Sequence, residues 1–202
     1  MNTLREYVIF FPHLLSLILD DLSPEYFDLY LMFDEKLDSD RSHLYVYYSD
    51  DVSYHSKLDE ELQMNDTNVY LLTSRFDGTG VTEFSVQSWD KVGNGVLSTL
   101  EVTYDEILPN LYTSIYSPTE DMMMSCSPGV VDKLTSVLIQ ENDYQSRIDV
   151  GDYAQVSPVY SVKSPNIDVL GNIDYEIKIP KIVRDNIAKI VDVTVNLNLK
   201  KK

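Results

Sequence analysis

Three runs decide how this chain is read: VYLLTSRF (69–76), VTEFSVQSW (81–89) and VLSTLEVTY (96–104). All three are rich in β-branched and aromatic residues. The second alternates, with Phe84, Val86 and Ser88 on one side, which is the period of a strand. Asp77-Gly78-Thr79-Gly80 separates the first pair and Gly93-Asn94-Gly95 the second. Glycine supplies positive φ cheaply in such turns. Three strands joined by two tight turns predict a meander, the natural core of an antiparallel sheet.

Within this region, Phe84-Ser85-Val86-Gln87-Ser88-Trp89-Asp90-Lys91-Val92-Gly93-Asn94 follows the pattern aromatic-x-Val-x-small-x-Asp-x-x-Gly-Asn. It resembles the penultimate strand and following turn of fibronectin-III-like and bacterial immunoglobulin-like modules. The resemblance covers about 35 residues, 69–104, and implies an antiparallel β-sandwich.

Upstream, Phe27, Leu29, Leu31 and Phe33 alternate with Asp28, Tyr30, Met32 and Asp34, and a strand is preferred there to a helix. LYVYY (44–48) is a further strand, and residues 56–66 read as a short helix or a loop. The run VIFFPHLLSLIL (8–19) is too short to span a membrane. It lacks the basic n-region and cleavage site of a signal peptide. It is read as a buried or amphipathic helix, entered through the capping-box pattern Thr3-Leu4-Arg5-Glu6 and kinked at Pro12.

Downstream, Ser127-Pro128 predicts a helix start, followed by Val130, Val131, Leu134, Val137 and Leu138 at helical spacing. Residues 142–155 read as a linker or exposed arm. Ile173, Tyr175, Ile177 and Ile179 alternate as a strand that Pro180 stops, and KIVRDNIAKI (181–190) reads as a helix. Val191, Val193, Val195, Leu197 and Leu199 then alternate strictly, ending in Lys200-Lys201-Lys202. Such a strand joins the chain's own sheet or is donated to a neighbour.

The predicted fold is therefore mainly β (α+β). An antiparallel β-sandwich-like core carries an N-terminal helix, one mid-chain helix and a C-terminal β-α-β extension. The predicted organisation is a first region 1–105 (helix plus β core), a connecting region 106–160, and an extension 161–202 with a basic tail.

Composition narrows the function. The 202 residues include 16 Lys and Arg against 33 Asp and Glu, a net charge of −17. Residues 1–160 carry a net −20 and residues 161–202 a net +3. An acidic body disfavours general nucleic-acid binding. One cysteine excludes an internal disulfide framework and a cysteine-built zinc site. There is no phosphate loop, no H-E-x-x-H and no G-x-S-x-G. Asp38-x-Asp40 begins like a calcium loop but fails at Ser42, His43 and Ser49. A looser calcium site between loops stays open. His13 reads as packed in its apolar run. His43 and His55 read as surface or half-buried histidines, because a metal site on them would need carboxylates such as Asp50 or Asp51. Cys126 reads as a structural thiol, although a helix start at Ser127 would lower its pKa.

These absences predict a non-enzymatic protein without cofactor or metal, neither membrane-bound nor specific for nucleic-acid sequence. The short, Asp-, Asn- and Tyr-rich style resembles virion proteins of tailed bacteriophages, in the neck, connector ring or tail. That resemblance implies a symmetric oligomer in the virion, assembled in the host cytoplasm from copies of itself and other subunits, with DNA passing an acidic lumen. The expected interface residues are Phe10 and Phe11 in the apolar run. The others are Ile182, Val183, Ile187, Val191, Val193, Val195, Leu197, Leu199, Lys200, Lys201 and Lys202. The alternative is a monomeric binding module for a protein or glycan, or an acidic mimic of DNA. Its contact residues would be Tyr45, Tyr47, Tyr48 and Tyr54, since tyrosine gives amphipathic contact at low entropy cost.

Overall fold

The computed structural model describes residues 14–19, 25–48, 51–64, 68–142, 159–164 and 169–178. They contain twelve strands and no helix. These are β1 (Leu14–Leu19), β2 (Tyr26–Met32), β3 (His43–Tyr48), β4 (Asp51–Lys57), β5 (Val69–Arg75) and β6 (Gly80–Trp89). There follow β7 (Gly95–Ile107), β8 (Thr113–Tyr116), β9 (Met122–Cys126), β10 (Thr135–Asn142), β11 (Val159–Lys163) and β12 (Ile173–Ile177). The chain divides into two compact units. The first takes residues 1–20, 25–77 and 83–100; the second takes 21–24, 78–82 and 101–202. Strand β7 contributes its first half to one unit and its second half to the other.

In the first unit, β2 lies between β1 and β5, antiparallel to both. A second sheet runs β7–β6–β3–β4. Phe27, Leu29 and Leu31 of β2 and Phe84 and Val86 of β6 are all buried. The two sheets meet where the Phe27 ring packs edge-on against Phe84, with centroids 5.2 Å apart. Phe27 also packs on Phe76 at 4.8 Å. The β6–β7 hairpin is closed by Asp90, whose carboxylate accepts from the Val92 and Asn94 amides at 2.9 and 2.8 Å and from the Asn94 side chain at 2.6 Å. Burial of Asp90 opposes its charge, but the hydrogen bonds from Asn94, Gly93 and Val92 outweigh it and hold the carboxyl below the usual range. Gly93 takes φ +98°, which other L-residues adopt at a cost. Gly95 is small for a different reason: a Cβ there would stand 2.6 Å from the Trp89 ring.

In the second unit, β10 lies between β7 and β11, with Ile139 opposite Thr103 and Val162. Strand β9 lies between β8 and β12. Ile107, Ile115, Met122, Met124, Cys126, Val137 and Ile139 form its core.

Three expectations are corrected. The first is the meander. β6 and β7 are neighbours, but β5 pairs with β2 in the other sheet, in the register Leu29↔Leu72. The glycine-rich segment 77–80 is a crossing between sheets, not a hairpin. The second is the mid-chain helix. Ser127-Pro128-Gly129 is a turn, with Gly129 at φ +85°, Val131 makes an isolated bridge, and residues 135–142 are strand β10. Val137, Leu138 and Ile139 are all fully buried, so both faces of β10 are covered. A continuous apolar run of that length carries no strand period and mimics a helix face. The third is the N-terminal helix, whose described part, Leu14–Leu19, is strand β1 paired to β2. The short run LLSLIL suits a strand as well as a helix turn, and only the partner distinguishes them. The fold of the described residues is thus all-β rather than α+β. Residues 1–13 and the expected helix at 181–190 lie outside the described residues.

Candidate functional site: an aromatic and imidazole face on the β3–β4 hairpin

Strands β3 and β4 pair antiparallel, with His43 opposite Lys57, Tyr45 opposite His55 and Val46 opposite Tyr54. Leu44 and Val46 point inward and are buried, so the pleat turns His43, Tyr45 and Tyr47 outward. Beyond Val46 the register jumps: Tyr47 faces Val52, and Ser53 is the extra residue of a bulge. The Ser53 hydroxyl donates back to the Val46 carbonyl at 3.3 Å.

The outward residues form a ladder of rings. The His55 and Tyr45 rings lie 4.4 Å apart and within 9° of parallel. Tyr45 and Tyr47 stack at 6.2 Å, and His43 and His55 at 5.2 Å. At its end the His43 Nδ1 and His55 Nε2 are 3.1 Å apart, a hydrogen bond in which one nitrogen donates and the other accepts. Ring faces in this ladder are spent on one another. What the ladder presents is ring edges, phenol oxygens and imidazole nitrogens, which disfavours a flat stacking platform for sugars.

The His43 pKa is pushed down by burial, then by the charge on His55 and by Lys57. Lys57 forms an exposed ion pair with Asp40 at 3.5 Å, a contact of small energetic weight. Because the folded protein takes up the His43 proton less readily than the unfolded chain, the unfolded chain binds it first as pH falls. Stability from this group is therefore complete above the ordinary histidine pKa of 6.5 and is lost as pH drops through and below it. Proton NMR titration should place the His43 midpoint below that of an exposed histidine, and His55→Gln should move it part of the way back. A midpoint at or above 6.5 in the unsubstituted protein contradicts this electrostatic account.

Of the tyrosines expected to bind a ligand, the fold brings Tyr45 and Tyr47 together. Tyr54 is the cross-strand partner of Val46 and so lies on the opposite face, and Tyr48 closes β3 opposite Asp51. Phe10, Phe11 and Ile182 through Lys202 lie outside the described residues. The sequence places His43 and His55 in the same Tyr-rich segment without pairing either with a tyrosine. The Tyr45–His55 partnership depends on the hairpin register, which no local pattern reports. Asp51, offered as a completing carboxylate, sits at the other end of the hairpin from His43, and Asp50 lies outside the described residues. Among the described residues, no group of three or more His, Cys, Asp or Glu side chains is placed to hold a metal.

Elsewhere, Cys126 ends β9 fully buried, with its thiol pushed up by burial and by the Asp174 charge, so it is a protonated core group. A cleft of about 330 Å³ in the second unit is lined by Tyr116, Glu120, Asp121, Met123, Glu176 and Lys178. Its lining carries three carboxylates and one ammonium. Compared with known proteins, the chain matches no family model, no curated protein and no solved structure.

Proposed function

We propose that this chain is a non-enzymatic assembly subunit that builds a symmetric complex by joining sheets across copies. A tailed-phage virion component, in a connector ring, neck or tail assembled in the host cytoplasm, is the kind of complex its composition suits. The observation that carries the reading is the β4 edge. Among the described residues β4 has a neighbour on one side only, and its Val52 is 54% exposed. An edge with free backbone donors and acceptors accepts another strand, and on β4 the Ser53 bulge and the charges of Asp51 and Lys57 restrict which strand can pair. The strictly alternating sequence 191–199 has the pattern of a strand that can be donated. Its lysine tail on an acidic body supplies complementary charge. In a ring, an acidic lumen would let DNA pass without holding its phosphates.

The test is the solution mass of the full chain by light scattering, alone and as the double variant Val193→Glu, Val195→Glu. A defined oligomer that the double variant dissolves is the expected result. A monomer at micromolar concentration in both sinks self-assembly.

A second reading, a monomeric binding module, is favoured by one observation, the outward Tyr45–Tyr47 ladder. On that reading the partner is a protein surface that meets ring edges and hydroxyls.

A further inference from the structure

We propose that His43 and His55 form a two-point site for a late first-row divalent metal ion, of the class Cu²⁺, Ni²⁺ or Zn²⁺. The site is independent of the assembly reading.

The argument rests on the separation of two nitrogens. Imidazole nitrogens bind such ions at about 2.0–2.1 Å, so two of them on adjacent positions of one ion stand about 2.9–3.3 Å apart. The His43 Nδ1 and His55 Nε2 are 3.1 Å apart. The hydrogen bond between them and chelation of one ion thus need the same spacing of the two nitrogens. Chelation further requires each ring to turn so that its lone pair aims about 40° off the line between them, and the proton held between them to move to the outer nitrogen of its ring.

The backbone holds that spacing. His43 and His55 sit on paired strands, diagonal to one another, since His43 faces Lys57 and His55 faces Tyr45. The parallel Tyr45 ring, 4.4 Å from His55, limits rotation of that imidazole. The nearby ammonium of Lys57 is drawn toward the Asp40 carboxylate. The chain's net charge of −17 raises the local concentration of cations of every kind, while the imidazole pair selects among them.

The donor set also states what the site refuses. Two neutral nitrogens, with no further His, Cys, Asp or Glu grouped with them among the described residues, suit copper, nickel and zinc and do not suit magnesium or calcium, which take oxygen. With two protein ligands, the remaining positions on the ion are left to water or to an outside ligand. The bound ion would therefore exchange freely, with copper held most tightly.

The test titrates the full chain with Cu²⁺ and follows it by calorimetry and by electron paramagnetic resonance. The expected result is one saturable equivalent with nitrogen hyperfine structure from two imidazoles, and no saturation by Mg²⁺. His43→Gln and His55→Gln should each weaken binding tenfold or more, while His13→Gln leaves it unchanged. Far-UV circular dichroism confirms that each variant keeps its strands, and His43→Ala and His55→Ala repeat the comparison with a different side chain. Binding that survives either substitution, that carries one nitrogen rather than two, or that is lost with His13 overturns the proposal. So does the absence of saturable binding.

Discussion

Replacing Phe84 by alanine should cost the first unit about 3–5 kcal/mol of unfolding free energy, the range for deleting a fully buried aromatic ring. Phe84 is 0% exposed and is the contact through which β6 meets the opposing sheet, edge-on to Phe27. The cavity left by alanine would be bounded by the Phe27 ring, which Phe76 holds in place from another side. Such a site collapses poorly, which puts the loss toward the upper part of the range. Trp89, the single tryptophan, lies five residues along the same strand and reports on this unit. Its ring is covered by the Arg41 guanidinium at 3.9 Å, a contact that unfolding removes. Urea unfolding followed by Trp89 emission should show an earlier midpoint at unchanged slope. A loss under about 1 kcal/mol would mean that the sheets do not meet at Phe84, since such a value belongs to surface positions.

The second large effect belongs to Ile139. It is fully buried on the central strand β10, among Ile107, Ile115, Met124 and Cys126. Ile139→Ala should cost about 2–5 kcal/mol. The single cysteine gives a local readout. Cys126 is buried, and burial, with the Asp174 charge, keeps its thiol protonated. Labelling by a thiol reagent therefore waits for the core to open. Where opening is in rapid equilibrium, its population sets the rate, so Ile139→Ala should speed labelling about thirtyfold or more. Labelling of the unsubstituted protein at the rate of a free thiol would contradict the packing of this core.

Parts of this architecture were legible in the residues. The alternations in 27–33 and 81–89 and the β-branched and aromatic run 44–48 coincide with β2, β6 and β3. The turn Asp90–Asn94 is readable because its aspartate, glycine and asparagine each do one backbone task. The helix readings failed where strands are apolar on both faces. Thr135–Asn142 and Leu14–Leu19 carry no alternation, and a short apolar run fits either period. The meander failed for another reason. Glycines allow a turn without specifying that the strands beside it pair, and β5 found β2, some forty residues earlier.

The candidate site divides in the same way. Tyrosines 45 and 47 on one face follow from the pleat alone, whereas the meeting of His43 and His55 does not. A single extra residue, Ser53, shifts the β3–β4 register, and a one-residue slip would carry a side chain to the opposite face. By itself the sequence determined that 27–33, 44–48, 81–89 and 173–177 are strands, where the Asp90–Asn94 turn falls, and that the chain is strongly acidic. These properties are encoded within a few consecutive residues. Tertiary structure decided which strands are partners, how the two cores are composed, and that two imidazoles twelve residues apart stand 3.1 Å from one another. Those depend on long-range pairing and on burial from both sides of a sheet, and no local period carries that information.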